Sequence, residues 1–228
     1  MCSKAEFKNN ITPYNSIIIA NGSFPRSALA LGLLKKASAI IACDGAVEQL
    51  CRHGFEPTAI VGDLDSISDS LRLRYADRLH GESEQETNDL TKAVRYACAA
   101  GYEEALILGA TGLREDHTLG NISLLLDYAR QIHRVEMLTD YGLFTPILHT
   151  TTFASTQGQQ VSIFTPRTDV EVRTEGLRWP INGRCLTAWW QGSLNETVGS
   201  SFTIFLTDRG NGGGGAIIYR LFSNEPKE

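Results

Sequence analysis

Two aspartates, Asp63 and Asp65, stand one residue apart in the run GDLDS, directly after the apolar stretch TAIVG (58–62). Like charges at that spacing repel unless a cation lies between them, and a structural turn needs only one acid. The pair reads as a seat for a hard divalent cation with oxygen ligands. Mg2+ suits it, taking one or two protein carboxylates and leaving the rest of its shell to substrate phosphates and water. Four more acids stand in similar settings: Asp44 in CDGA, Asp89 in ETNDLTKAV, Asp116 in GLREDH and Asp140 in TDYG. Each also has an ordinary use, as a helix cap (Asp44, Asp89, Asp116) or a turn residue (Asp140).

Glycines accompany the acids. Asn21-Gly22, Asp44-Gly45 and Gly109 with Thr111 all follow apolar runs, and glycine lets a backbone approach a ligand closely. Helix starts nearby supply N–H donors for phosphate. A divalent cation beside phosphate-accepting backbone points to a Mg–nucleotide. Arg114 is then either the fork of donors that meets the phosphates or a solvated surface arginine. His117 either joins it or packs at a helix start. No GxxxxGK[ST] run occurs, so any nucleotide is held without a P-loop. Gly210, Gly212 and Gly215 satisfy GxGxxG, but SFTIFLTD and AIIYRLF on either side read as strands. The helix that a pyrophosphate needs is missing, and the stretch reads as a mobile hairpin loop.

These residues need elements to position them, and the rhythm of the chain supplies two kinds. Over residues 1–147, strand-like runs (SIIIA, AIIAC, TAIVG, EALILGA, RVEMLT) alternate with stretches of helical spacing such as RSALALGLLKKA and DLTKAVRYACAAG. That alternation predicts a mostly parallel α/β sheet. In such a sheet ligands bind beyond the carboxyl ends of the strands, where the acids and glycines fall. Over residues 148–228 helical spacing fades, Thr, Val, Phe and Trp become frequent, and turn residues recur. This half predicts an antiparallel β-sandwich. By residue type alone, Trp179, Trp189 and Trp190 belong to its core.

Composition excludes several classes. The net charge of −5 over 228 residues argues against nucleic acid as a partner. No apolar run approaches the roughly 18 residues needed to span a bilayer, and MCSKAEFKNN lacks the apolar core of a signal peptide. Five scattered cysteines (Cys2, Cys43, Cys51, Cys98, Cys185) form no CxxC pair and read as reduced thiols, so a cytoplasmic location is expected.

CDGA, VGDLDS, ETNDLTKAV and GATGLREDHTLGNI, in this order before a β-rich tail, resemble the thiamine pyrophosphokinases from about residue 16 to residue 222. The resemblance implies an α/β domain followed by a β-sandwich domain, assembled as a homodimer. It implies transfer of a diphosphoryl group from Mg–ATP to the hydroxyethyl oxygen of thiamine, with AMP leaving. Asp44, Asp63, Asp65, Asp89 and Asp116 match the family's acidic positions; Asn21, Gly22, Gly109, Thr111, Arg114 and His117 lie in stretches like its nucleotide loops. GLRW (Gly176 to Trp179) and GSLNE (Gly192 to Glu196) resemble segments that form the thiamine site across the dimer interface.

Three places depart from the family's pattern. Leu113 stands where a second glycine is usual, Gln85 where a lysine is common, and Leu194 where a serine precedes the asparagine. The expected roles follow. Asp63 and Asp65, with Asp89 or Asp116, hold Mg2+, and Arg114 offsets phosphate charge. Asn21, Gly22, Asp44, Gly45, Gly109, Thr111, His117 and Asp140 surround ATP. Trp179, Ser193 and Asn195 contact thiamine, whose cationic thiazolium suits an aromatic face. Two alternatives stay open: a diphosphokinase for another alcohol, such as a hydroxymethylpterin, and a nucleotide-binding regulator without turnover.

Overall fold

The structure, a computed structural model, describes residue 11, residues 13–210 and residues 212–222. Cys2 and the segment MCSKAEFKNN lie outside them. The chain divides into two units, one spanning Pro13–Asp140 and the other containing Tyr141–Glu228.

In the first unit the apolar runs form β1 (Ser16–Ile19), β2 (Ala39–Cys43), β3 (Ala59–Gly62), β5 (Glu104–Leu108) and β6 (Arg134–Leu138), with a short β4 (Leu79–Gly81). The helices are α1 (Ala28–Lys36), α2 (Ala46–Arg52), α3 (Asp69–Arg74), α4 (Asp89–Ala99), α5 (Glu115–Ser123) and α6 (Leu125–Ala129). All six strands are parallel, in the order β6-β5-β1-β2-β3-β4. Ile17, Ile18 and Ile19 are at most 1 % exposed. Such strands are covered on both faces, which is why their sequences are apolar without alternation. Progress along the sheet reverses between β1 and β5, which are neighbours although three strands separate them in sequence. That reversal is the topological switch point, where a crevice opens at the carboxyl ends.

Local chemistry sets the element ends. The Ser27 hydroxyl accepts from Ala30 N–H at the start of α1 (3.2 Å), and the Asn88 side chain accepts from Thr91 N–H at the start of α4 (2.9 Å). Asn88 is the cap of α4, so Asp89, expected as a possible cap, is released from that duty. Gly54 and Gly101 take φ of +79° and +82° just after α2 and α4, the left-handed caps expected there. The helical stretch 117–130 is interrupted at Leu124, where the Ser123 hydroxyl donates back to the Gly120 carbonyl (2.7 Å).

The second unit begins at Tyr141, not at residue 148. The reason is pairing: β7 (Gly142–Ile147) lies antiparallel along β14 (Ala216–Leu221) through its whole length. The other strands are β8 (Thr151–Ala154), β9 (Gln160–Phe164), β10 (Val170–Glu175), β11 (Asn182–Cys185), β12 (Asn195–Glu196) and β13 (Ser201–Asp208). They form two antiparallel layers, β12-β9-β14-β7 and β11-β10-β13-β8. Val161, Ile163 and Ile218 of one layer and Val172, Phe202 and Ile204 of the other share one core, which makes the unit a sandwich.

Two expectations fail here. The glycine-rich stretch closes no hairpin: β13 and β14 belong to different layers, and the loop carries the chain between them. Asp208 organises it by accepting from Gly210 and Gly214 N–H (2.9 and 2.8 Å). The tryptophans are not core residues. Trp179, Trp189 and Trp190 are 57, 36 and 74 % exposed, because they lie on a loop and a short helical turn, where strand alternation has no hold.

Candidate active site at the sheet switch point

The loops leaving β1 and β5 are bonded to each other. Ala20 N–H donates to the Leu108 carbonyl (2.9 Å), Gly22 N–H to the Gly109 carbonyl (2.6 Å) and Ser23 N–H to the Thr111 carbonyl (2.8 Å). A β-carbon on Gly22 would lie 2.4 Å from the Gly109 oxygen and 2.6 Å from that of Thr111. Glycine is the residue that fits.

Beside this crevice the ends of β2 and β3 bring acids together. Asp44 sits at φ +37° and Leu64, between the two aspartates of GDLDS, at φ +67°. Left-handed backbone at residues with a β-carbon costs about 1–2 kcal/mol each and persists where surrounding structure enforces it. One ligand oxygen from each of Asp44, Asp63 and Asp65 lies within 4.8 Å of the others. Gly62 makes room, since a β-carbon there would meet Asp44 Cβ at 2.8 Å and Asp89 Oδ1 at 3.1 Å. Asp44 is 4 % exposed, and its Oδ1 has no hydrogen-bond partner among the described residues. Burial pushes the Asp44 carboxyl above the usual carboxylate range against the opposing pull of Ser66 and the Gly45 amide, and neighbouring Asp89 and Asp63 add to the rise. Asp63 moves oppositely: the Asp65 amide (3.3 Å) and Gln85 Nε2 (3.4 Å) donate to its oxygens and hold it below that range. Three convergent carboxylates, one of them buried with an oxygen that lacks a donor, are a set that could hold a hard cation.

These groups open on a cleft of about 410 Å3. Of the expected residues, Asn21, Gly22, Asp44, Asp63, Asp65, Asp89, Thr111, Arg114 and His117 line it. Gly45 and Gly109 belong to the same loops one position away. Asp89 opens α4 and accepts from Lys92 Nζ at 3.2 Å. Asp116 turns to Arg114 instead, taking Nε at 3.1 Å and Nη2 at 2.5 Å. Asp140 lies outside the cleft; its carboxylate accepts from the Arg26 and Ser27 amides (3.0 and 2.9 Å) and fixes the approach to α1. The acid that joins Asp63 and Asp65 within 4.8 Å is Asp44, expected at the nucleotide.

Lys92 was not anticipated. It is 2 % exposed and lines the cleft. Its sequence signal is a lone lysine among the buried Leu90, Ala93, Val94 and Ala97 of α4, which reads as an ordinary snorkelling side chain.

The Arg114 fork holds the exposed Asp116 carboxyl down at about 2, helped by the His117 amide. A depressed carboxyl stays ionised, and its pairing intact, above its unfolded value, and loses that pairing as pH falls through the folded one. In Arg114→Ala the Asp116 carboxyl should titrate near 4, the ordinary Asp range. Carboxyl-carbon NMR titration checks this, and an unmoved midpoint would refute the assignment.

In the second unit, Trp179, Ser193, Leu194 and Asn195 line a smaller hollow of about 220 Å3. Asn195 is buried and clamps the Trp179 backbone, accepting from its N–H (3.2 Å) and donating to its carbonyl (2.6 Å). Ser193 donates to the Trp190 carbonyl (2.8 Å). Both polar side chains thus shape the loop, and the exposed groups are the Trp179 indole and Leu194, the latter at φ +59°.

Fold and cleft define a two-unit protein: a parallel α/β sheet with convergent carboxylates at its switch point, followed by an antiparallel sandwich. Residues 30–137 match the family description "Thiamin pyrophosphokinase, catalytic domain", and residues 142–212 match "Thiamin pyrophosphokinase, substrate-binding domain". The chain belongs to the thiamin pyrophosphokinase family. It is 29 % identical over 151 residues to thiamine pyrophosphokinase 1 of Oryza sativa subsp. japonica, covering 60 % of this chain and 57 % of that one. To thiamine pyrophosphokinase of Bacillus subtilis (strain 168) it is 37 % identical over 89 residues, covering 37 % and 42 %. The chain thus spans about half the length of the curated relatives it matches. The solved thiamin pyrophosphokinase of Candida albicans superposes with a TM-score of 0.74 at 16 % identity, over 93 % of this chain and 95 % of that one. That likeness speaks for the fold.

Proposed function

We propose that this protein transfers the diphosphoryl group of Mg–ATP to the hydroxyl of thiamine, giving thiamine diphosphate and AMP. Family membership supports the reaction class. The observation that carries the reading is the convergence of Asp44, Asp63 and Asp65 on one point, with Asp44 Oδ1 buried and unpartnered. Those three would hold Mg2+, which supplies charge neutralisation to phosphate oxygens. The bonded loops at Gly22 and Gly109 offer backbone to the nucleotide at the switch point.

The acceptor oxygen attacks the β-phosphorus in line, the bond from that phosphorus to the α-bridging oxygen breaks, and AMP departs with both electrons of that bond. The alcohol proton passes to a cleft carboxylate. No covalent enzyme intermediate is required, so catalysis rests on positioning and charge. Thiamine is assigned to the exposed Trp179 face. A homodimer would cover the exposed Trp179, Trp189, Trp190 and Leu194. We place the protein in the cytoplasm, in keeping with four free thiols among the described residues; no described helix is long and apolar enough to cross a membrane.

The test is one incubation with Mg–ATP and thiamine, with AMP, ADP and thiamine phosphates separated. AMP formed in step with thiamine diphosphate, and only with Mg2+, supports the reading. ADP with thiamine monophosphate would replace it with simple phosphorylation. Trp179→Ala should raise the thiamine KM roughly tenfold, a cation–π and stacking loss of about 1–2 kcal/mol, and leave that for ATP unchanged. Equal changes in both constants would remove Trp179 from the acceptor site.

A further inference from the structure

The cleft contains a cation whose bonding is unfinished. Lys92 rises from the first turn of α4 with its side chain 2 % exposed, and among the described residues its one hydrogen-bond partner is Asp89 Oδ1 at 3.2 Å. An ammonium has three donors, so two N–H groups remain at the wall of the cleft. Leaving them unused in a buried place is costly. Arg114, the cation that sequence reasoning assigned to phosphate, is 70 % exposed and already holds Asp116 through Nε and Nη2. Gln85, where the family resemblance leads one to expect a lysine, gives Asp63 a neutral donor.

Lys92 therefore stands as a buried positive charge in the wall of the cleft that Asp44, Asp63, Asp65 and Asp89 also line. With a divalent ion on the first three and Asp89 neutralising part of its charge, its remaining donors suit an anionic oxygen. We propose that Lys92 is a phosphate-binding residue. Its two remaining N–H groups take oxygens of the β–γ portion of the nucleotide, the group that is transferred, and Asp89 holds the ammonium in place for them. This rests on the nucleotide reading of the cleft but not on thiamine as acceptor, and the two fail separately.

The experiment is calorimetric binding of Mg–ATP and of AMP to the intact protein and to three variants, Lys92→Met, Lys92→Arg and the double change Lys92→Met with Asp89→Asn. Charge-assisted hydrogen bonds predict a loss of roughly 10- to 100-fold in Mg–ATP affinity for Lys92→Met, with AMP within about twofold of the parent. The double variant removes the stranded Asp89 charge. If Lys92 served only to neutralise Asp89, the double variant would recover Mg–ATP binding; a phosphate ligand predicts that it stays weak. Lys92→Arg should recover part of the affinity. Equal losses for AMP and Mg–ATP, or full recovery in the double variant, would overturn the proposal. A parent protein that binds Mg–ATP but does not turn over thiamine would overturn the acceptor assignment and leave this test standing.

Discussion

Asp63→Asn is expected to lower kcat by about 100-fold or more while leaving the unfolding temperature within about 2 °C of the parent. The substitution is nearly isosteric, and Asn keeps a carbonyl oxygen to accept the Asp65 amide that now bonds Asp63 Oδ1 at 3.3 Å. The turn therefore survives with Leu64 still at φ +67°. Lost is one of three negative charges converging within 4.8 Å, and with it most of the attraction for a divalent ion. Removing one charge from a crowded set also relieves repulsion, which offsets the loss of the long Gln85 hydrogen bond to Oδ2 (3.4 Å). Steady-state kinetics across a Mg2+ series checks the metal role, with saturation shifted to higher metal, and a thermal melt checks the fold. Parental turnover at parental Mg2+ would remove Asp63 from the metal site.

Gly22→Ala should destabilise the protein by roughly 1–3 kcal/mol, the usual cost of overpacking, and abolish nucleotide binding at the same time. The methyl would meet two carbonyl oxygens, of Gly109 at 2.4 Å and Thr111 at 2.6 Å. Neither is the end of a flexible side chain; both belong to the loop leaving β5. Relief requires the β1 and β5 loops to separate and their mutual hydrogen bonds to break. Gly120→Ala is the control, because a β-carbon there meets nothing within 4 Å and its helix gains propensity. Chemical denaturation with Mg–ATP titration of both variants reads the difference. A Gly22→Ala protein as stable as its parent would mean that the loops are not packed as described.

Much of the fold was legible because burial writes itself into composition. Parallel strands covered on both faces become unbroken apolar runs, and the five long ones appear in the sequence as such. β4 and α3 were missed for the converse reason. β4 is a three-residue edge strand that is mostly exposed, and α3 has no buried residue. The cleft was legible in type but not in partnership. Acids at strand ends could be found by position; which three converge depends on the left-handed turn at Asp44 and the absent side chain of Gly62, both long-range properties. Arg114 and Asp116 were assigned separately, yet they satisfy each other. The tryptophans misled because large aromatic residues are core residues on average, and only loop geometry tells when they are not.

The neighbouring of β1 and β5 has a consequence for how the chain is made. Ser16 pairs with Ala105 and Ile19 with Leu108, so one edge of Ser-Ile-Ile-Ile stays unpaired during synthesis until β5 has emerged. An apolar edge strand of that kind templates association between chains. The sequence keeps it short, at four residues. The crevice accordingly closes later than the pairing of β1 to β4, once β5 has emerged, and a nucleotide in the medium would favour chains that have finished over those still waiting.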